Sequence, residues 1–208
     1  MNPREQNDET RERILDAAEG LFRRLSFPGM RMAHLSEHMG LSRKTLYNHF
    51  PGGKRALWKS CVERRIRFFS ACLFDIANDT DRDYLERGRG ILDIGREAMA
   101  VFYGPDGMVR FGEESDYFLP EVRSRIVGVL SRFFDEGKRR GFIRADLPVR
   151  SLSLVLVALI ADWGKRDLSL DDGEVDTLPE FVERVMFDGI LTEEGRLRIP
   201  EIIGGSAS

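Results

Sequence analysis

Ten residues, Leu41-Ser42-Arg43-Lys44-Thr45-Leu46-Tyr47-Asn48-His49-Phe50, constrain this chain more than any other stretch. They are too polar for core and too regular for a loop. Ser42 suits the position before a helix, because its hydroxyl can accept from the backbone N–H of Lys44 or Thr45. Leu46 and Phe50, four apart, share one face that can be buried. The other face presents Arg43, Lys44, Thr45, Tyr47, Asn48 and His49, all able to donate hydrogen bonds and none acidic. A short helix with that face suits the major groove of double-stranded DNA.

The preceding residues fit the same picture. Ile14, Leu15, Ala18, Leu21, Phe22 and Leu25 recur at helical spacing, which predicts a helix over about residues 9 to 25. Ser26-Phe27-Pro28-Gly29 ends it. A second short helix is expected from Met32 to Met39, closed by Gly40 in the left-handed conformation. Two short helices joined at a glycine and buttressed by a first one make a helix-turn-helix unit.

These residues together, Arg13-Ile14-Leu15-Asp16-Ala17-Ala18, Leu21-Phe22, Gly40-Leu41-Ser42 and Thr45 to Phe50, then Lys54 and Leu57, resemble the N-terminal domain of the TetR family of transcriptional regulators. The resemblance covers about residues 9 to 60. Ser26 stands where the family often has glycine, and Met30-Arg31 where it often has a capping threonine or serine. Lys44 replaces a residue that is often small, and a long cation there reaches farther.

Charge is distributed unevenly. The chain carries a formal −3, yet residues 21 to 60 hold eight basic side chains against one acid, Glu37. Residues 61 to 208 hold 21 basic and 28 acidic side chains. A basic head on an acidic body is the footprint a DNA-binding unit needs. Cys61 and Cys72 lie on one expected helix, about 16 Å apart and beyond disulfide reach. They read as free thiols in a reducing cytoplasm. No secretory signal is expected, and the apolar run Leu152 to Ala161 is too short to span a bilayer. The ends, residues 1 to 8 and 201 to 208, read as flexible.

The remainder reads as helix. Helices are expected over Lys54 to Ile76, with Leu57, Cys61, Phe68, Cys72 and Ile76 buried, and over Asp83 to Tyr103. Further helices are expected near Met108 to Glu114, over Pro120 to Arg140 with Gly141 as its stop, over Pro148 to Trp163, and over Thr177 to Ile190. The fold class is therefore all-α, with a three-helix head at 1–53 and a larger helical body at 54–208 for ligand binding and dimerisation. Leu152, Val155, Leu156, Leu159 and Trp163 give one late helix apolar surface nearly all round, and Phe181 and Val185 help do so for the next. Such helices are buried on two sides, inside a monomer or in a four-helix dimer interface. The resemblance implies the dimer.

Arg43, Lys44 and Asn48 are the candidates for base edges, the cations for guanine and Asn48 for adenine. Ser42 belongs to the same DNA-binding set as the residue that starts the helix. The resemblance implies phosphate contacts from Thr45, Tyr47, His49 and Lys54, and Arg31 is a further candidate. Tyr47 and His49 have an alternative, bracing the helix against its neighbours. Phe102, Tyr103, Phe111, Tyr117 and Phe118 flank the Gly104-Pro105-Asp106-Gly107 break and are the candidates for a ligand pocket. The resemblance implies a homodimeric repressor released from a palindromic operator by a small molecule; with the free thiols and the short apolar run, the expectation is a cytoplasmic protein with no enzymatic activity, cofactor or membrane partner. Two rivals stand beside it. One is a DNA-binding architectural protein without a ligand, disfavoured by the size of the body. The other is a zinc enzyme using His34, Glu37 and His38, whose H-x-x-E-H spacing lacks a third ligand site.

Overall fold

The computed structural model describes residues 3–103, 120–162 and 189–198. Among them every regular element is a helix, and one isolated antiparallel bridge joins Ile143 to Leu191. The chain is all-α, with a helix-turn-helix head followed by a larger helical body. No helix among the described residues is long and apolar enough to cross a membrane.

Helix α1 (Pro3–Gly29) is longer than its apolar pattern requires. It begins inside the segment expected to be flexible, because Arg4 to Thr10 contain good helix formers and no breaker. Its regular path breaks at Ser26 (φ 56°, ψ 170°), and Met30 N–H then closes a last turn onto Ser26 O at 3.2 Å. Helices α2 (Met32–Met39) and α3 (Arg43–His49) follow, then the long α4 (Gly53–Asn78). Ile14, Leu15, Ala18, Leu21 and Phe22 of α1 are buried, as are Met32 and Leu35 of α2 and Leu46 of α3. Leu57, Trp58, Cys61 and Val62 on the first turns of α4 are buried too.

One expectation for α4 is corrected. Phe68 is 51% exposed, and Ile66, Phe69, Leu73 and Ala77 are the buried residues around and beyond it. Phe68 lies about two turns from Cys61 and so on the same side of the helix. The buried stripe has rotated away from that side by the time the chain reaches it.

The chain divides into two compact units. One holds residues up to Phe69 with the stretch from Glu97; the other holds Ser70–Arg96 and the residues from Pro120 on. Helix α5 (Tyr84–Tyr103) therefore contributes to both. In the second unit α6 (Pro120–Arg139) packs on α7 (Val149–Asp162), and Ser131 Oγ on α6 bonds Ser153 Oγ on α7 at 3.1 Å. Tyr84 stacks between Phe133 (4.5 Å between centroids) and Phe142 (5.5 Å). Gly137 makes this possible, since a Cβ there would lie 2.1 Å from the Tyr84 hydroxyl. Gly141 (φ 81°) stops α6, as the sequence implies. A short helix that the sequence reading missed, α8 (Glu193–Arg198), follows the bridge at Leu191. The expected helices near Met108 and over Thr177 to Ile190 lie outside the described residues, apart from Gly189 and Ile190, which are helical.

Candidate nucleic-acid interface

The turn between α2 and α3 is built from backbone bonds that the sequence places well. Gly40 adopts φ 64°, and its N–H bonds Ser36 O. Leu41 N–H donates to the same carbonyl at 3.2 Å, and the Ser36 hydroxyl donates to Leu41 O at 2.5 Å. Ser42 then caps α3, its Oγ accepting from Thr45 N–H at 3.1 Å and lying 2.9 Å from Thr45 Oγ1. Leu46 and Phe50 anchor α3 in the core at 0% and 2% exposure. The Arg11 guanidinium of α1 sits 4.9 Å from the Phe50 ring centre and donates to Ser60 Oγ of α4 at 3.2 Å.

This anchoring leaves one face of α3 outward. Arg43, Lys44 and Asn48 are exposed, as is Tyr47; Thr45 and His49 are half-buried. Tyr47 packs one ring edge beside Gly53 (φ 64°), where a Cβ would lie 3.3 Å from its Cε1. Contact with Gly53 and outward exposure coexist at Tyr47. Arg31 is exposed ahead of α2, where its N–H donates to His34 Nδ1 at 3.3 Å. One nitrogen of His34 is thus engaged in closing the start of α2. Among the described residues no group of three or more His, Cys, Asp or Glu side chains is placed to hold a metal ion.

Lys54 has a second employment. Its Nζ donates to Phe27 O at 3.0 Å and lies 4.5 Å from the Phe27 ring centre. Phe27 in turn packs on Trp58 at 5.3 Å between ring centres. Lys54 therefore ties the kinked end of α1 to the start of α4.

The head is further fixed by an acid that sequence reasoning missed. The Glu19 side chain is 5% exposed and accepts from both Arg64 and Arg65 of α4, with closest contacts of 2.6 Å each. Arg64 also reaches Asp16 at 2.8 Å and Glu12 at 3.1 Å. Burial alone would lower the Arg64 pKa, but the hydrogen bonds it donates to Glu19 and Glu12 outweigh it and the pKa is raised. The signal was an acid between Leu15 and Phe22 on the apolar side of α1, which demands a buried cation.

The candidates for pocket and dimer are only partly described. Phe102 is buried core, edge-on to Phe69 at 5.8 Å. Tyr103 ends α5 with its side chain outside the described residues, where Phe111, Tyr117 and Phe118 also lie. On α7, Leu152 and Leu156 are half-buried and Val155 is 53% exposed, beside Leu154 at 41%. The Leu159 side chain, Trp163, Phe181 and Val185 lie outside the described residues. The second unit holds an open groove of about 1020 Å³ between α4, α5 and α6, at residues the sequence reading did not assign to a pocket.

Residues 14–61 match the family model for bacterial regulatory proteins of the tetR family. The fold over most of the chain is that of solved TetR-type proteins. A TetR-family transcriptional regulator from Pectobacterium atrosepticum superposes with a TM-score of 0.69 at 21% identity, covering 92% of this chain and 99% of that one. The ketosteroid transcriptional regulator KstR2 of Mycobacterium tuberculosis gives 0.56 at 16% identity, covering 88% and 96%. A gamma-butyrolactone receptor described as ArpA-like gives 0.60 at 16% identity and 96% of both chains. No curated protein matches the sequence. The head thus matches the tetR-family model over residues 14–61, and the fold of the chain is like that of those solved structures.

Proposed function

We propose that this protein is a transcriptional regulator without catalytic activity. It acts in the cytoplasm and binds a palindromic DNA operator as a homodimer, through α3 of the head. Residues 1–53 serve as the DNA-reading domain and residues 54–208 as the dimerisation and effector domain. The observation that carries this reading is the outward face of α3, which is rich in donors, free of acids and held by a capped turn. Arg43, Lys44 and Asn48 are exposed on the outward face of α3 and are the base-reading set. Tyr47, His49 and Arg31 take phosphates, with Ser42 and Thr45 primarily holding the helix start. Lys54 contributes to the phosphate track only through the part of its charge not spent on Phe27.

The matched family, the regulator names of the solved structures and the basic head support the regulator over an architectural DNA binder. Release of the operator by a small molecule fits the size of the body. Selection from random duplexes tests the reading. The wild-type chain should enrich a palindrome, and the triple variant Arg43→Ala, Lys44→Ala, Asn48→Ala should lose it while unfolding at the same temperature. A folded wild-type protein that enriches no sequence at low salt would sink the proposal.

A further inference from the structure

The groove of the second unit has a chemical polarity of its own. One wall is a stripe on α6, Arg125–Gly128–Arg132, with members three, four and seven residues apart and therefore on one side of the helix. Gly128 lies beneath the Arg132 guanidinium; a Cβ there would be 3.8 Å from Arg132 Nη1. Arg125 lies 4.0 Å from the ring centre of Phe74 on α4. A guanidinium held over a ring face can still donate its N–H groups to an acceptor. Among the described residues neither Arg125 nor Arg132 makes an ion pair.

The apolar part of the lining comes from Ile76 on α4 and Ile94 on α5, with the Phe74 ring. Asp75 is the one unpaired acid on the rim among the described residues, because Asp79 is held by Arg82 at 2.9 Å.

We infer that this groove binds an organic anion, with a carboxylate or phosphate head gripped by Arg125 and Arg132 and an apolar body laid along Ile76 and Ile94. Two planar forks seven residues apart on one helix suit an oxyanion with several acceptor atoms. Asp75 opposes the head and limits the negative charge the groove accepts. Use of the groove as an effector site rests on the regulator reading; binding itself does not.

Calorimetry on the full chain with four probes of one tail length tests the inference: decanoate, decyl phosphate, decanol and decylamine. Decanoate and decyl phosphate should bind, with decanol about tenfold or more weaker and decylamine weaker still. The ratio of decanoate to decyl phosphate then separates a carboxylate site from a phosphate site. The double variant Arg125→Gln, Arg132→Gln should lose about tenfold in anion affinity and leave decanol unchanged. Asp75→Asn should tighten anion binding severalfold, an effect that a merely structural role would not give. Decanol binding as tightly as decanoate, or an Asp75→Asn variant with unchanged or weaker anion affinity, would overturn the inference. So would a double variant that unfolds at the wild-type temperature and keeps wild-type anion affinity. Operator selection is a separate assay on the unliganded protein, so failure here leaves the regulator reading to stand or fall on its own.

Discussion

Ser26 shows how a single residue can carry strain that composition does not announce. Its φ of 56° with ψ of 170° is a region that glycine occupies freely and other residues enter at a cost of about 1–3 kcal/mol. The Ser26 hydroxyl donates to Leu25 O at 2.6 Å, a local bond in an exposed setting that offsets only part of this cost. Ser26→Gly should therefore stabilise the protein by about 1 kcal/mol, visible as a rise of about 2–4 °C in unfolding temperature. A fall in stability would mean that the hydroxyl matters more than the backbone. The two cysteines give a second test at this scale. Cys61 is fully buried, and that burial, with Glu19 beside it, pushes its thiol up to about 12. Cys72 is half-buried. Disulfide-exchange labelling of the native protein at neutral pH should modify Cys72 alone, with Cys61 reacting only after denaturation. Two thiols of equal speed in the native state would contradict the packing of α4 on α1.

At the scale of elements, what was readable from sequence was what is decided locally. The bounds of α2, the left-handed Gly40 and the Ser42 cap depend on a few neighbouring residues, and pattern alone reached them. The buried side of α4 was not readable beyond its first turns, because which face is covered depends on partners distant in sequence. Lys54 shows the same limit: nothing local says that its ammonium group meets Phe27, 27 residues away. The groove escaped notice because its walls come from three helices, although the Arg125–Gly128–Arg132 spacing was visible. Arg87 and Glu136 join two of those helices, α5 and α6. Arg87 is 3% exposed, donates to Ala77 O at the end of α4 at 3.0 Å, and pairs with Glu136 at 2.5 Å. Its Nε finds no hydrogen-bond acceptor among the described residues, and the guanidinium carbon lies 5.7 Å from the ring centres of Tyr84 and Phe133. The hydrogen bond from Arg87 holds the Glu136 carboxyl below its ordinary range. A depressed carboxylate stabilises the fold above its unfolded pKa, and that contribution is lost as pH falls through the folded value. Glu136→Gln should accordingly cost about 2 kcal/mol at neutral pH, with the gap from wild type closing below about pH 4. Urea titrations at neutral and acid pH would read this directly; a gap independent of pH would remove the ion pair as its cause.

For the whole molecule, the uneven charge and the apolar α7 lead to a joint prediction about DNA. Eight basic residues and one acid over residues 21 to 60, set against an acidic remainder, point the attraction at the head alone. Each phosphate neutralised by a cationic side chain contributes a slope of about −0.9 to log affinity against log salt. Arg31→Ala should therefore flatten the salt dependence while keeping the selected sequence, whereas Asn48→Ala should change the sequence preferred and leave the slope nearly intact. Leu154 and Val155 expose apolar surface on α7, which fits a second subunit. Val155→Glu places a charge on that surface and should yield a folded monomer at micromolar concentration, measured by light scattering. Operator affinity should fall by about a hundredfold or more, because two linked heads gain effective concentration that one head lacks. A duplex carrying a single half-site supplies the control: wild type and Val155→Glu should bind it alike, since each engages it with one head. If the variant stays dimeric and holds the palindrome as tightly as wild type, this face of α7 is not the interface, and the two half-sites are brought together by some other surface of the body.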